Sequence, residues 1–253
     1  MSEADKPSFV RAFDPQKERE ARMAKRFYKD ARAEARDDGV AVLLDERELK
    51  TPARNPVRLP SHPLAEAVAA EWAAQSDHVD PASMPRTRIV TTAIDRVAED
   101  AGPAIDEIAR YGGSDLLCYR AEQPAELVAQ QTAAWDPLLA WLEESHAVRL
   151  ASTSGIMHVT QDEAELVRLR AVLSKLDPLR LTALHTLVTI SGSAVIGLAV
   201  LHKRLDAEGA FEASRVDELF QISQWGEDAE AAARTKAHKA EFDAAAEVLT
   251  LLG

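Results

Sequence analysis

The side chains of this 253-residue chain that could do acid–base, metal or nucleophilic chemistry are seven histidines, one cysteine and a few paired carboxylates. The histidines (His62, His78, His146, His158, His185, His202 and His238) are dispersed, and no two share a short metal-ligand spacing. No HExxH, EF-hand or G-x-S-x-G pattern occurs. A metal site would have to be assembled entirely from distant segments, and none is expected. His185 lies in the most apolar stretch and reads as a hydrogen-bonded core histidine. Asp37-Asp38, Glu143-Glu144 and Glu227-Asp228 read as solvated faces or helix-start charges. An acid–base pair needs a pocket that drives its pKa values apart, and no such pocket is legible. Gly192 and Gly197 have the spacing of a phosphate-binding loop, but Leu198-Ala199 stands where Lys and Ser or Thr would meet phosphate and magnesium. Cys118, between Leu117 and Tyr119, reads as a small buried hydrophobe. Being alone, it excludes an intramolecular disulfide and a thiolate zinc cluster. Neither enzyme chemistry nor a cofactor is expected.

Binding chemistry is better represented. DELFQISQWGEDAE, residues 217 to 230, sets a Trp-Gly between two acidic clusters. As a helix ending at Gly226 it aligns Glu218, Gln221, Ile222 and Trp225 on one stripe, with Val216, Leu219, Phe220 and Ser223 opposite. A surface helix needs one apolar stripe only. Either the tryptophan side is also buried, between helical layers, or a partner binds there. Glu71, Trp72 and Gln75 pose the same choice, although Trp72 extends the Leu64 and Val68 stripe and so reads as structural.

The elements that must position these residues fall into two styles. Residues 27 to about 60 carry turn signals and short apolar runs. Asp38-Gly39 precedes the strand candidate VAVLL, Asp45-Glu46-Arg47 turns the chain, and Pro52, Pro56 and Pro60 bar helix. FYKDARAEAR before them has helical composition but strand-like alternation, and pattern alone leaves both open. From Ser61 onward helix follows helix. Ser61 caps LAEAVAAEWAAQ with Pro63 in its first turn, and Pro85 opens a helix with Ile89, Ala93, Ile94 and Val97 inward. A third helix stops at Gly112-Gly113. Pro124 starts a longer one that Asp136-Pro137 interrupts or restarts, and Thr160 with Glu163 has capping-box spacing. Ser214 and Asp217 form a weaker cap before the tryptophan stripe, and the last helix runs from about Asp228 to Leu251. VRLASTSGIMHV, 148 to 159, reads as an irregular or extended crossing. With 46% hydrophobic but only 5% aromatic residues, the core must be aliphatic and alanine-rich.

The formal net charge of −12, without any basic stripe, argues against nucleic acid and anionic membranes as partners. LTALHTLVTISGSAVIGLAVL, 181 to 201, carries no formal charge and has the length of a membrane span. Its threonines, His185 and the Ser191-Gly192-Ser193 break favour two short buried helices instead, and no integral membrane segment is expected. MSEADKPSFVRAFDPQKERE lacks an apolar h-region and is acidic, unlike a signal or transit peptide, which points to the cytoplasm.

The distinctive residues also come as an ordered set. RFYK (26–29), LLDERELKTP (43–52), EWAAQ (71–75), MPRTRIVTTAIDRV (84–97), GGSDLLCYRA, QQTAAWDPLLAW and VDELFQISQWGEDAE follow one another. Together they resemble the assembly chaperones of the F-type ATP synthase that handle its alpha subunit, over about residues 26 to 230. The joint set is highly specific, whereas any one motif is weak. One departure is Glu46, in a turn where the family typically has Gly. The resemblance implies an α+β protein: an N-terminal extension (1–25), a small β-rich domain (26–60) and a larger all-helical domain (61–253), with 27–35 as strand. It implies a bacterial, cytoplasmic counterpart of a mitochondrial assembly factor, monomeric when free. The unassembled alpha subunit would be its partner, and its task would be to shield apolar surface otherwise covered by beta neighbours. Glu218, Gln221, Trp225, Glu71 and Gln75 then form the client surface or hold its shape. The alternative is a small-molecule-binding protein or enzyme using Arg86, Arg88, Asp95 and His158 in the cleft between the two domains. A third reading is an assembly factor attached to the membrane through 181–201.

Overall fold

The structure is a computed structural model that describes residues 23–155 and 157–253. The expected extension over 1–25 and the reading of its targeting signals lie, up to residue 22, outside the described residues. An N-terminal sheet is followed by a mostly helical body, the α+β arrangement expected. β1 (Ala24–Lys25) pairs with β6 (His78–Val79). The main sheet is an antiparallel hairpin of β2 (Ala31–Arg36) and β3 (Gly39–Leu44), extended by β4 (Arg47–Glu48) and β5 (Arg58–Leu59), which both pair with β3. Of the ambiguous FYKDARAEAR only ARAEAR, 31–36, becomes strand, and residues 27–30 lead into it without regular structure, so the strand expected over 27–35 begins four residues later. Ala31, Ala33 and Ala35 of β2 face Leu44, Val42 and Val40 of β3, a pairing that no local propensity could announce. In the turn after β3 the left-handed residue is Asp45, φ 53°, not Glu46. Asp45 Oδ1 accepts the N–H groups of Lys29 and Asp30, both at 2.9 Å, which holds the turn without glycine.

α1 (His62–Ala73) starts at the Ser61 cap and packs on β2 and β3. α2 (Pro85–Thr92) passes into a π turn over Ala93–Val97 that keeps Ile89, Ala93 and Val97 buried. α3 (Gly102–Gly113) contains the two glycines expected to end it. A Cβ on Gly112 would fall 2.4 Å from Leu169 Cδ2, so glycine there permits close helix approach. β7 (Tyr119–Arg120) leads to α4 (Ala125–His146), which is continuous through Pro137. Proline removes one helical hydrogen bond. Gln131, Trp135, Leu138 and Leu142 are buried along one face on both sides of the proline, which holds the helix through it.

The 148–159 crossing contains β8 (Thr153–Ser154), parallel to β7, and Gln161 clamps both the N–H and the C=O of Ala151. Asp162, not Thr160, caps α5 (Glu163–Leu173), because its carboxylate reaches the Ala164 N–H at 2.9 Å. α6 (Pro178–Ser191) and α7 (Ala194–Leu201) are the two buried helices expected, joined at Gly192, φ 72°. Gly197 sits where a Cβ would meet Val188 and Leu184 below 3 Å, so the phosphate-loop spacing reflects helix packing. Among the described residues no helix is long and apolar enough to cross a membrane. α8 (Ala207–Ala213), α9 (Val216–Trp225) and α10 (Ala229–Leu252) complete the chain. One apolar cluster runs from Val42 in the sheet through Leu184 to Val248, so sheet and helices share a core.

Candidate functional site

α9 begins without a side-chain cap. Ser214 Oγ donates to its own turn at Phe211 O, and Asp217, expected as part of the cap, is used elsewhere. Its Oδ1 accepts from Gln131 Nε2 of α4 at 2.6 Å, while Gln131 Oε1 accepts the Ala121 N–H at 2.8 Å. Just before the helix, Ala213 O accepts from the fully buried Trp135 Nε1 at 2.7 Å. α4 therefore fixes the start of α9 by one buried and one half-buried bond, and Phe220 provides its buried apolar contact.

The rest of α9 stands clear. Trp225 is 79% and Leu219 42% exposed, Glu218 and Gln221 are exposed, and Ile222 is half-buried. The Glu218, Gln221, Ile222 and Trp225 stripe is thus no seam between layers. It forms one wall of a groove of about 470 Å³ whose other wall is the first half of α10, with Arg234, Thr235 and His238. Leu219, on the opposite flank, borders a second hollow of about 340 Å³ with Val216, Leu205 and Ala134. α9 is a ridge between two depressions. Glu218 accepts from Arg215 Nε at 2.7 Å, and the Arg215 guanidinium lies over the Phe211 ring, so the ridge carries its own charge pair. Gly226, φ 84°, turns the chain into α10, where Asp228 caps Ala231.

Glu71 and Gln75 are placed differently from that stripe. Both are buried and their polar atoms are spent internally. Glu71 takes the N–H groups of Arg86 and Thr87, the Thr87 hydroxyl and the Arg86 guanidinium. Gln75 bonds Asp80 N, Ser83 Oγ and Glu71 O. They hold the α1–α2 corner and present no free polar atom to a partner. Trp72 is half-buried against Tyr28, ring centroids 5.7 Å apart.

The residues considered for a cleft site do not converge. Arg86 pairs with Glu71 and Glu247, Arg88 with Glu241, and His158 with the Tyr119 hydroxyl. Asp95 accepts from Thr51 Oγ1, Ala53 N and Asn55 Nδ2, and these bonds outweigh desolvation to hold its carboxyl below the usual range. It fastens the 51–55 loop to the helical body. His185 bonds Glu107 at 2.8 Å, and burial pushes the Cys118 thiol up to about 12. Gln131, Asp217 and Arg215, which position the ridge, escape sequence reasoning. Gln131 lies inside QQTAAWDPLLAW, but nothing local ties it to a residue 86 positions away.

A preformed body that offers an exposed indole and leucine on a ridge between open grooves has the surface of a chaperone, a protein that holds another protein. The ATP12 chaperone protein family matches residues 25–143. Atp12 from Paracoccus denitrificans is 43% identical with a TM-score of 0.84, over 91% of this chain and 99% of that one. The Atu1473 protein of Agrobacterium tumefaciens is 39% identical with a TM-score of 0.85, over 95% and 92%. The mitochondrial protein atp12 of Schizosaccharomyces pombe is 28% identical over 214 residues, 80% of this chain and 74% of that protein. The chain belongs to the ATP12 chaperone family of ATP synthase assembly factors.

Proposed function

We propose that this protein binds the unassembled alpha subunit of the F-type ATP synthase and covers its apolar subunit interface until the beta neighbours arrive. The observation that carries this is Trp225, 79% exposed on a ridge whose base is anchored by Gln131 and Trp135. Exposing an indole costs solubility unless a partner covers it, and tryptophan is enriched at binding hot spots. Glu218, Gln221 and Trp225 make the contact, and Glu71 and Gln75 hold the shape of the body behind it. The net charge of −12 keeps chaperone and complex soluble. The protein acts in the cytoplasm, as a monomer when free, by binding and release without bond chemistry. Purification of the tagged protein from its own cells, with identification of co-eluting chains, tests this. Alpha subunit in stoichiometric amount, free of beta, is the expected result. Its absence, with the tagged protein folded, sinks the proposal.

A further inference from the structure

α9 is lightly held for a helix that offers a contact. Phe220 is its one buried side chain, no side chain caps its first turn, and α4 is the helix it packs on. Apolar contact is non-directional, so a helix held at a single buried residue is free to turn about its own axis. The bond from Gln131 to Asp217 supplies the missing direction. Gln131 is buried, and both ends of its amide are committed. The Ala121 N–H only donates and the ionised Asp217 carboxylate only accepts. The amide therefore has one permitted orientation, with Oε1 2.8 Å from the Ala121 nitrogen and Nε2 2.6 Å from Asp217 Oδ1. Ala121 follows directly on β7, so the backbone of a third segment locks the α4 side chain that sets where Asp217 stands. Asp217 and Phe220 are three residues apart and hence neighbours on one side of α9, whereas Trp225 stands in solvent.

We infer that Gln131 is a positioning residue for client capture: through Asp217 it fixes the rotation of α9, and so the direction in which Trp225 is offered. The effect on capture rests on the alpha-subunit reading; the effect on the helix does not. Reversing the polarity of the bond separates this role from burial alone. Gln131→Glu keeps an acceptor for Ala121 but sets a second carboxylate against that of Asp217, and α9 must swing away. Combined with Asp217→Asn, the new amide donates to the new carboxylate. The bond returns with its donor and acceptor exchanged, and the net charge equals that of the wild type.

Hydrogen exchange of the α9 amides and capture of unassembled alpha subunit are measured together, at a temperature where the melt shows each variant folded. Gln131→Glu should speed exchange in α9 about tenfold and lower capture about tenfold, while exchange in α6 and α7 stays unchanged. The double variant should bring both back to within about threefold of wild type. If Gln131→Glu fails to fold, Asp217→Ala and Asp217→Asn take its place. Both remove the charge but only the alanine removes the bond, so only Asp217→Ala should loosen α9 and lose capture. Wild-type exchange and capture in Gln131→Glu, no recovery in the double variant, or equal loss in the two Asp217 variants overturns the inference. Exchange that rises equally in α6 and α7 also overturns it, since that marks a general loss of stability. If the wild-type chain captures no alpha subunit, the proposed client is wrong, and the exchange measurement still decides whether Gln131 sets the ridge.

Discussion

The Glu71 carboxylate caps α2 from a neighbouring helix: one oxygen lies 2.8 Å from the Thr87 nitrogen and 2.7 Å from the Thr87 hydroxyl. The other takes the Arg86 N–H at 2.8 Å, so a buried anion satisfies the free donors at the positive end of a helix. Glu71→Ala strands these donors and should lower the unfolding free energy by about 3 kcal/mol. Urea denaturation measures this. The mutant fraction that remains folded should capture alpha subunit normally, because Glu71 points inward.

Asp115 gives a pH signature. It is fully buried, and desolvation raises its carboxyl to about 6 although Ser193 Oγ, Leu117 N and Val195 N all donate to it. With a folded pKa above the unfolded one, the native state binds more protons between about pH 4 and 6, so stability from this group falls as pH rises through that window. The contribution present near pH 4 and lost above pH 6 is on the order of 3 kcal/mol. Asp115→Asn should abolish this slope, as seen in the difference between wild-type and mutant stability from pH 4 to 7. Parallel curves would refute the assignment.

His146 and His202 act with the opposite sign. Their rings lie 4.6 Å apart beside Trp141, and desolvation, reinforced at His146 by the charge of His202, holds both below the usual imidazole value. The unfolded chain then takes up protons first, so stability is full above about pH 6.5 and declines as pH falls. His146 Nε2 is buried without a hydrogen-bond partner, so His146→Phe removes a cost. It should flatten the decline between pH 6.5 and 5 without loss of stability at pH 7.5, checked by thermal melts.

Glu218→Lys should weaken capture of alpha subunit about tenfold, close to 1.4 kcal/mol, and barely move the melting temperature. Its partner Arg215 is local and Glu218 itself faces solvent, where an ion pair is worth little to stability. Pull-down and melting are compared with Glu144→Lys, an exposed charge reversal on α4. Equal loss in both would leave the ridge without a specific role.

Half-buried Trp72 and exposed Trp225 should separate folding from binding. Trp72→Arg puts a charge against Tyr28 and the core helices, where an unpaired charge costs several kcal/mol, on the order of the whole stability margin. It should lose its cooperative melt. Trp225→Ala, out in solvent, should melt within about 0.5 kcal/mol of wild type yet lose capture. A Trp225 variant that binds normally would exclude the ridge as the contact.

Local chemistry alone determined much of this protein. Ser61 and Asp228 start their helices and Gly192 divides the apolar 181–201 stretch, because caps and turns act within a few residues, while the ordered motifs pointed to the family by resemblance. Tertiary structure decided what depends on partners far along the chain. The 31–36 segment is strand because β3 pairs with it, and α4 runs through Pro137 because its buried face is held on both sides. Asp217 leaves its expected cap for Gln131, and Glu71 and Gln75, which looked as available as Gln221 and Trp225, are enclosed. A stripe of polar residues around a tryptophan has the same spacing whether it is covered or bare. Only the packing of α9 on α4 through its other side left Trp225 in water.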